Sequence, residues 1–242
     1  MRILLISDVH ANFTALKTVM DAAGNIDAVW CMGDLVGYGP DPDECISFLR
    51  TFPNLTCILG NHDAAILNRI KFSAFNNDAQ LSLRWGKDHL SDSNLEFLKS
   101  LSEICFENNC LLTHGSPRNP IWEYILDSYI AKANFDMFFE NICMVGHTHL
   151  PSVFFYQKEN LSVISQSLYS GDVVEINDRT IFNPGSVGQP RDHDPRAAYA
   201  IYYPEERRIE TFRIDYDIAG VQTRIRKSGL PEQHALRLSG GY

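Results

Sequence analysis

The chain has 242 residues, of which 45% are hydrophobic, and this length is sufficient to bury a sizeable core in one domain. Its formal net charge of -9 argues against nucleic acid and anionic membranes as partners, because both attract clusters of Lys and Arg. No run of about 18 apolar residues occurs, so no transmembrane helix is expected. The six cysteines lack a CxxC spacing, and with no signal peptide they are expected to be reduced thiols of a cytoplasmic protein.

The first third of the chain alternates strand and helix patterns. Apolar runs of strand length lie at 3–6, 28–32 and 55–59, and helical spacing of apolar residues covers 12–23 and 42–52. A βαβαβ order with apolar strands predicts a largely parallel sheet covered by helices. Helical patterns continue over 64–101, where Ser91 is a predicted N-cap.

The rest of the chain changes to short strands. Residues 104–106 and 110–113 form a predicted hairpin, and a helical stretch is predicted over 121–139. Further strands are predicted around Met144 and at 153–156, 161–164, 173–176, 198–203 and 208–214. Short strands with little helix between them predict a second, mainly antiparallel sheet packed on the first.

These patterns predict an α/β (α+β) fold for the whole chain. We expect one domain over residues 1–242, in which two facing mixed β-sheets are flanked by helices in a four-layer α/β/β/α sandwich. The terminal helices, predicted within 217–238, are expected to pack on this same domain.

Residues that are typical metal ligands follow the predicted strands. Because the carboxyl ends of parallel strands converge on one crevice, these residues are expected to meet. Imidazole and carboxylate ligands suit divalent Mn, Fe or Zn, and seven candidates are too many for one tetrahedral site. They instead suit two ions bridged by a carboxylate and a water. The candidates are Asp8, His10, Asp34, Asn61, His114, His147 and His149.

The spacing of the candidates leaves alternatives open. Asp8 and His10 are two residues apart, so in an extended segment they would share one face and one ion. His147 and His149 have the same spacing, but each could serve a different ion if their loop lies between two metals. Singly, residues of this set also have structural explanations, such as a turn for Asn61, whereas five glycine-marked motifs together favour a metal site.

The order of these motifs resembles the five-motif signature of the calcineurin-like metallophosphoesterases. The downstream Asn183-Pro184-Gly185-Ser186 resembles an element of the small bacterial and archaeal branch. The matching strings are Asp8-Val9-His10, Gly33-Asp34, Gly60-Asn61-His62-Asp63, His114 and Gly146-His147-Thr148-His149. The resemblance implies that Asp34 bridges two ions, one held by Asp8, His10 and His149 and the other by Asn61, His114 and His147.

The resemblance also implies a mechanism. Two divalent ions about 3.5–4 Å apart would activate a bridging hydroxide for in-line attack and neutralise the phosphoryl oxygens. His62 matches the family histidine that contacts the phosphate or protonates the leaving oxygen, and it is the predicted catalytic residue. Asn61 and His62 would lie against the substrate, and Asp63 could orient His62.

One departure from the family narrows the expected substrate. The serine/threonine phosphatase branch has an Asp-Arg pair where this chain has Gly37 and Tyr38. Since that arginine would clamp a phosphate and the aspartate would support the histidine, a small phosphodiester or nucleotide of the dinucleoside polyphosphate type fits better than a phosphoprotein. The alternatives are a broad-specificity phosphomonoesterase and a non-catalytic interaction scaffold of the same fold. The oligomeric state is not predicted.

Several residues keep two interpretations. Asn12 either caps the first helix or faces the phosphate. Arg191 either contacts substrate or pairs with the neighbouring Asp192 and Asp194. Tyr38 belongs either to a substrate rim or to a rigid turn.

Six other residues, which belong to none of these motifs, are predicted to have structural roles only. Surface positions are predicted for three histidines, and a core cluster at helical spacing is predicted for three phenylalanines. These residues are His89, His193 and His234, and Phe135, Phe138 and Phe139.

Overall fold

The computed structural model describes all 242 residues, which form two six-stranded sheets and eight α-helices. The strands are β1 (Ile3–Ile6), β2 (Ala28–Cys31), β3 (Leu55–Cys57), β4 (Ile104–Glu107), β5 (Cys110–Thr113), β6 (Ile142–Met144), β7 (Ser152–Gln157), β8 (Ser162–Ser167), β9 (Val173–Glu175), β10 (Thr180–Asn183), β11 (Ala197–Tyr203) and β12 (Arg208–Ile214). The helices are α1 (Phe13–Ala23), α2 (Pro42–Leu49), α3 (Asn61–Ile66), α4 (Asn77–Asp88), α5 (Asp92–Ser100), α6 (Ser128–Phe135), α7 (Ile218–Lys227) and α8 (Glu232–Gly240), with a 3-10 turn at Phe72–Ala74.

The first sheet has the strand order β3-β2-β1-β11-β12-β9. Its first three strands are parallel, as predicted, and the others are antiparallel, with Ile3 opposite Tyr202 where β1 meets β11. Strands β9, β11 and β12 therefore extend the first sheet, whereas the sequence analysis assigned them to the second.

The second sheet has the order β4-β5-β6-β10-β7-β8 and is also mixed. Strand β6 lies parallel to both β5 and β10, while the outer pairs are antiparallel. Strand β10, which lies between β6 and β7 at the centre of this sheet, was not predicted from the sequence.

The alternation of side chains in β1 shows how the layers pack. Leu4 and Ile6 lie in a cluster with residues of α1, α2 and α5, on the outer face of the first sheet. Ile3 and Leu5 lie in a second cluster with Phe182 and other residues of the second sheet, so this cluster fills the space between the sheets. On the far side, α6 covers the second sheet. The predicted order of helix, sheet, sheet and helix is confirmed.

Helix α6 is shorter than predicted. It begins at Ser128, where the Asp127 side chain accepts a hydrogen bond from the N–H of Ile130, and it ends at Phe135. Residues 121–127 are not helical. Because the helix ends before Phe138, the predicted phenylalanine cluster is only partly right: Phe135 and Phe138 are buried, but Phe139 is 95% exposed.

The two C-terminal helices pack on each other and on α4. Val221 and Ile225 of α7 form a cluster with Leu238 of α8, and Trp85 of α4 packs against it. This packing buries His234, which is only 2% exposed, so its predicted surface position is wrong. No helix of the protein is long and apolar enough to cross a membrane.

Candidate metal centre

Seven polar side chains meet in the loops that follow β1, β2, β3, β5 and β6, and they form two donor groups. In the first group, Nε2 of His149 lies 3.2 Å from Oδ1 of Asp8 and 3.1 Å from Nε2 of His10. The same His10 nitrogen lies 3.6 Å from Oδ2 of Asp34. The inward atoms of Asp8, His10 and His149 lie within 4.8 Å of one another, close enough to hold one metal ion between them. Asp34 lies within the same distance of His10 and of His62.

The second group lies on the other side of Asp34. Nε2 of His114 is 3.3 Å from Oδ2 of Asp34, 3.0 Å from Oδ1 of Asn61 and 3.1 Å from Nδ1 of His147. The Oδ2 atom of Asp34 thus belongs to both groups. His147 and His149 contribute to different groups, which was one of the two alternatives that their spacing left open.

The main chain fixes the tautomer of each histidine in these groups. Every outward ring nitrogen is within hydrogen-bonding distance of a backbone carbonyl, which only accepts, so the outward nitrogen carries the hydrogen. In the neutral rings the inward nitrogens consequently present lone pairs, as metal ligation requires. The pairs are His10 with Val36 (3.0 Å), His114 with Met32 (2.7 Å), His147 with Trp122 (3.2 Å) and His149 with Gln189 (2.5 Å).

This donor set fits a metal ion. The inward nitrogens of His10 and His149 face each other at 3.1 Å, as do those of His114 and His147. Two facing lone pairs repel each other unless a cation lies between them. In addition, Oδ1 of Asp8 is buried without a hydrogen-bond partner, as expected for an oxygen that a cation would contact.

The charges of the site favour the same conclusion. Burial lowers the pKa of His10 and His149 well below the usual value and that of His147 to about 3, so these rings are neutral, as metal ligation requires. Burial also opposes charge on His114, but the Asp34 carboxylate outweighs it and raises the pKa of His114 to about 9. Without a metal ion, His114 would therefore carry a second proton on its inward nitrogen, and a bound cation would replace this proton beside Asp34.

The backbone of the ligands is unusual. Five of the seven candidate ligands have positive φ angles between 46° and 65°, a region that residues other than glycine rarely adopt. Asp8 and His10 thus reach the same donor group through a tight turn and not through an extended segment. Such conformations persist only where the surrounding structure holds them, and they are typical of functional sites.

Asp63 holds the loop that carries the shared ligand. Its carboxylate accepts four backbone N–H hydrogen bonds, from Asp34, Leu35, Val36 and Gly60, at 2.9–3.2 Å. Its side chain makes no hydrogen bond with the ring of His62, which had been a possible partner in the sequence. Its role is therefore to position Asp34.

Replacing Asp63 by asparagine is expected to weaken metal binding about 10- to 100-fold, as for other groups that orient ligands. The new NH2 group would face backbone N–H donors, so at least one buried donor would lose its acceptor, at a cost of about 1–3 kcal/mol in stability. Metal titration and thermal unfolding would measure both effects. Asp88→Asn on the exposed end of α4 is the matched control, and equal behaviour of the two variants would contradict this role.

His62 lies beside the donor groups. Its backbone N–H donates to Oδ1 of Asp34 at 2.9 Å, and its ring contacts those of Tyr38 and Phe75, with centroids 4.6 and 4.9 Å away. Nδ1 of His62 is buried and has no partner, and a Cβ at Gly37 would collide with this atom. Burial lowers the pKa of His62 to about 4, so the ring is neutral near pH 7.

A cleft of about 190 Å³ opens onto this centre, and much of its wall is aromatic. Phe75, Trp122 and Tyr124 line it together with Tyr38, and the Tyr124 ring stacks on His147 with centroids 4.0 Å apart. Phe75, Trp122 and Tyr124 were not predicted from the sequence. Trp122 and Tyr124 lie within the predicted helix over 121–139, where apolar side chains were expected to face the core.

The two other predicted substrate contacts, Arg191 and Asn12, differ in the structure. Arg191 lines the cleft, with its guanidinium over the Tyr38 ring, and it forms no ion pair with its neighbours. Those neighbours pair elsewhere, Asp192 with Arg213 and Asp194 with Arg196.

Asn12, in contrast, is turned inward. Its Oδ1 accepts from the N–H of Ala15 and caps α1, while its Nδ2 donates to the Gly188 carbonyl. Both polar atoms of the Asn12 side chain are thus occupied within the protein.

Comparison with known proteins agrees with this geometry. An uncharacterised protein of Methanocaldococcus jannaschii is 36% identical over 245 residues, which cover 98% of this chain and 96% of that protein. The crystal structure of a metallophosphoesterase from Sphaerobacter thermophilus has 43% sequence identity and a TM-score of 0.91, over 100% of this chain and 99% of that one. A symmetrical bis(5'-nucleosyl)-tetraphosphatase of Erwinia tasmaniensis is 37% identical over 67 residues, only 26% of this chain and 24% of the enzyme.

The sequence profile of the calcineurin-like phosphoesterase superfamily domain matches residues 1–207. This match covers all seven residues of the two donor groups, and His62 as well. The chain therefore belongs to the calcineurin-like phosphoesterase superfamily and is a metal-dependent phosphoester hydrolase.

Proposed function

We propose that this protein is a hydrolase of small phosphodiesters or nucleotides, of the dinucleoside polyphosphate type, with two divalent ions of the Mn, Fe or Zn class. The observation that carries the proposal is the pair of donor groups that share Oδ2 of Asp34. When bound, two such ions lower the pKa of a water and neutralise charge on the phosphoryl oxygens. Asp8, His10 and His149 would hold one ion, and Asn61, His114 and His147 the other.

We assign the proton transfer to His62. Its neutral ring has one N–H, which can donate a hydrogen bond to a phosphoryl oxygen. Transfer of a proton to the leaving oxygen requires the imidazolium form, which the negative charge of a bound phosphate would favour. Asn61 lies next to it in the wall of the same cleft. Arg191 reaches this cleft from the segment after β10, where its Nη2 donates to Oε1 of Gln189 and to the Tyr38 hydroxyl, and its positive charge would attract a phosphoryl oxygen.

The shape of the cleft supports a nucleotide substrate. Partly exposed Trp122 and Tyr124 offer flat surfaces beside the metal centre, and stacking of a base on an aromatic ring contributes about 1–3 kcal/mol. The position of Gly37 supports a substrate other than a phosphoprotein, because no acidic side chain can lie against His62 there. One relative is named a symmetrical bis(5'-nucleosyl)-tetraphosphatase, and this name also supports a nucleotide substrate.

The proposal is tested with protein loaded with Mn²⁺ and offered bis-p-nitrophenyl phosphate beside p-nitrophenyl phosphate. We expect turnover of the diester, loss of that turnover on treatment with EDTA, and its return when Mn²⁺ is restored. Turnover of the monoester alone would favour a broad phosphomonoesterase. Protein that binds no metal and hydrolyses neither compound would instead be a non-catalytic scaffold.

A further inference from the structure

A second pocket, of about 160 Å³, adjoins the catalytic cleft and is lined only by polar residues. It lies between the N-terminus of α4 and the C-terminal helix α8, and it shares one lining residue, Asn76, with the cleft. Its lining consists of Asn76, Asn77, Asp78, Gln233, His234 and Arg237. The mechanism proposed above uses none of these residues.

His234 lines this pocket and has an unfilled hydrogen-bonding position. The residue is only 2% exposed, and its Nε2 lies 3.2 Å from the backbone carbonyl of Asp78, to which it must donate. The other ring nitrogen, Nδ1, is buried and has no partner. Burial also lowers the pKa of His234, so Nδ1 presents a lone pair that accepts hydrogen bonds. Since buried polar atoms are nearly always paired, a donor from a ligand would complete this site.

The remaining lining adds both donors and acceptors. Arg237 forms no ion pair, and its Nε is also buried without a partner. The backbone N–H groups of Asn77 and Asp78, in the first turn of α4, have no acceptor within the helix. The carboxamides of Asn77 and Gln233 donate and accept, and the Asp78 carboxylate accepts.

We propose that this pocket binds the ribose of the second nucleoside of a substrate whose phosphoryl group lies at the metal centre. Vicinal hydroxyls both donate and accept hydrogen bonds, which matches a lining of carboxamides, carboxylate, imidazole and guanidinium. The absence of any hydrophobic lining residue argues against a nucleobase. One arginine beside one aspartate gives no excess of positive charge, which argues against a phosphoryl group. This inference rests on the proposed function for the position of the phosphate.

The key variant is Asp78→Asn, which keeps the size of the side chain and removes an acceptor of ligand hydroxyls. For diadenosine tetraphosphate, we expect KM to rise about tenfold, as for loss of one hydrogen bond to a charged group, with little change in kcat. For bis-p-nitrophenyl phosphate, which has no sugar, KM is expected to stay unchanged. Asp88→Asn makes the same chemical change at the other end of α4 and serves as the control.

A binding measurement separates this inference from the hydrolytic activity. By calorimetry, wild-type protein is expected to bind adenosine several-fold more tightly than 2',3'-dideoxyadenosine, and Asp78→Asn is expected to lose this difference. Equal binding of the two nucleosides by the wild type, or equal KM values for the Asp78 and Asp88 variants, would overturn the ribose pocket. If the wild type hydrolyses no phosphodiester but discriminates between the nucleosides, the proposed function fails while the pocket stands.

Discussion

Replacement of Asp34 by asparagine is expected to remove metal from both donor groups together and to lower turnover roughly 10³-fold or more. Its Oδ2 atom is the one ligand atom that both groups contain. Metal ions supply several kcal/mol of transition-state stabilisation, and each 1.36 kcal/mol corresponds to a factor of about ten in rate. An asparagine oxygen at the Oδ2 position would be uncharged, and the NH2 group would then face the backbone N–H of His62, so the amide would be a weaker ligand for both ions.

Metal content per chain, measured by mass spectrometry after gel filtration, would check this expectation. The second carboxylate oxygen of Asp34 accepts the backbone N–H of His62, so circular dichroism must first show that the variant is folded. His149→Ala provides the contrast, because it touches only the first group and should reduce metal content by one ion. An Asp34→Asn variant that keeps both ions would contradict the bridging role.

Replacement of His62 by alanine should leave metal content unchanged and lower kcat about 10²- to 10⁴-fold, the range expected for general acid catalysis. The side chain contributes no atom to the inferred ligand sets. Its backbone N–H, which donates to Asp34, remains in the variant. The variant is therefore expected to lose catalytic rate while its metal content stays unchanged.

The choice of leaving group makes the His62 test specific. A p-nitrophenolate departs readily without a proton, whereas a nucleoside alcohol needs one. The loss should therefore be much larger for a dinucleoside monophosphate, whose leaving group is a nucleoside alcohol, than for bis-p-nitrophenyl phosphate. A ring that only filled space between Tyr38 and Phe75 would give equal losses for both substrates. Metal loss as large as that of Asp34→Asn would refute the proposed separation of roles.

The convergence of the ligands was predictable from sequence because each follows a short apolar run that is recognisably a strand. Ile3–Ile6 leads to Asp8, and Cys110–Thr113 leads to His114. Parallel strands place the loops at their carboxyl ends along one edge of a sheet, so this placement can be predicted without information on long-range contacts. The capping roles of Asn12 and Ser91 were also predictable, since an N-cap depends on the adjacent turn alone.

Features that depend on distant contacts were not predictable in this way. The pairing of β1 with β11 joins residues about two hundred positions apart, and periodicity does not indicate which sheet a strand will enter. The burial of His234 likewise depends on the docking of α8 against Tyr38 and α4. Exposed aromatic residues such as Trp122 have the same sequence pattern as core residues, so the wall of the cleft became visible only in the structure.

The outer histidine nitrogens are held by backbone carbonyls, so the residues of this site differ in how well they tolerate substitution. A carbonyl is present whatever side chain its residue bears, so Trp122 and Gln189 can be exchanged without loss of the groups that orient His147 and His149. Substrate preference can therefore drift through such positions while the catalytic geometry is inherited unchanged. Insertions or proline substitutions that move the main chain would displace these carbonyls and disrupt the metal centre.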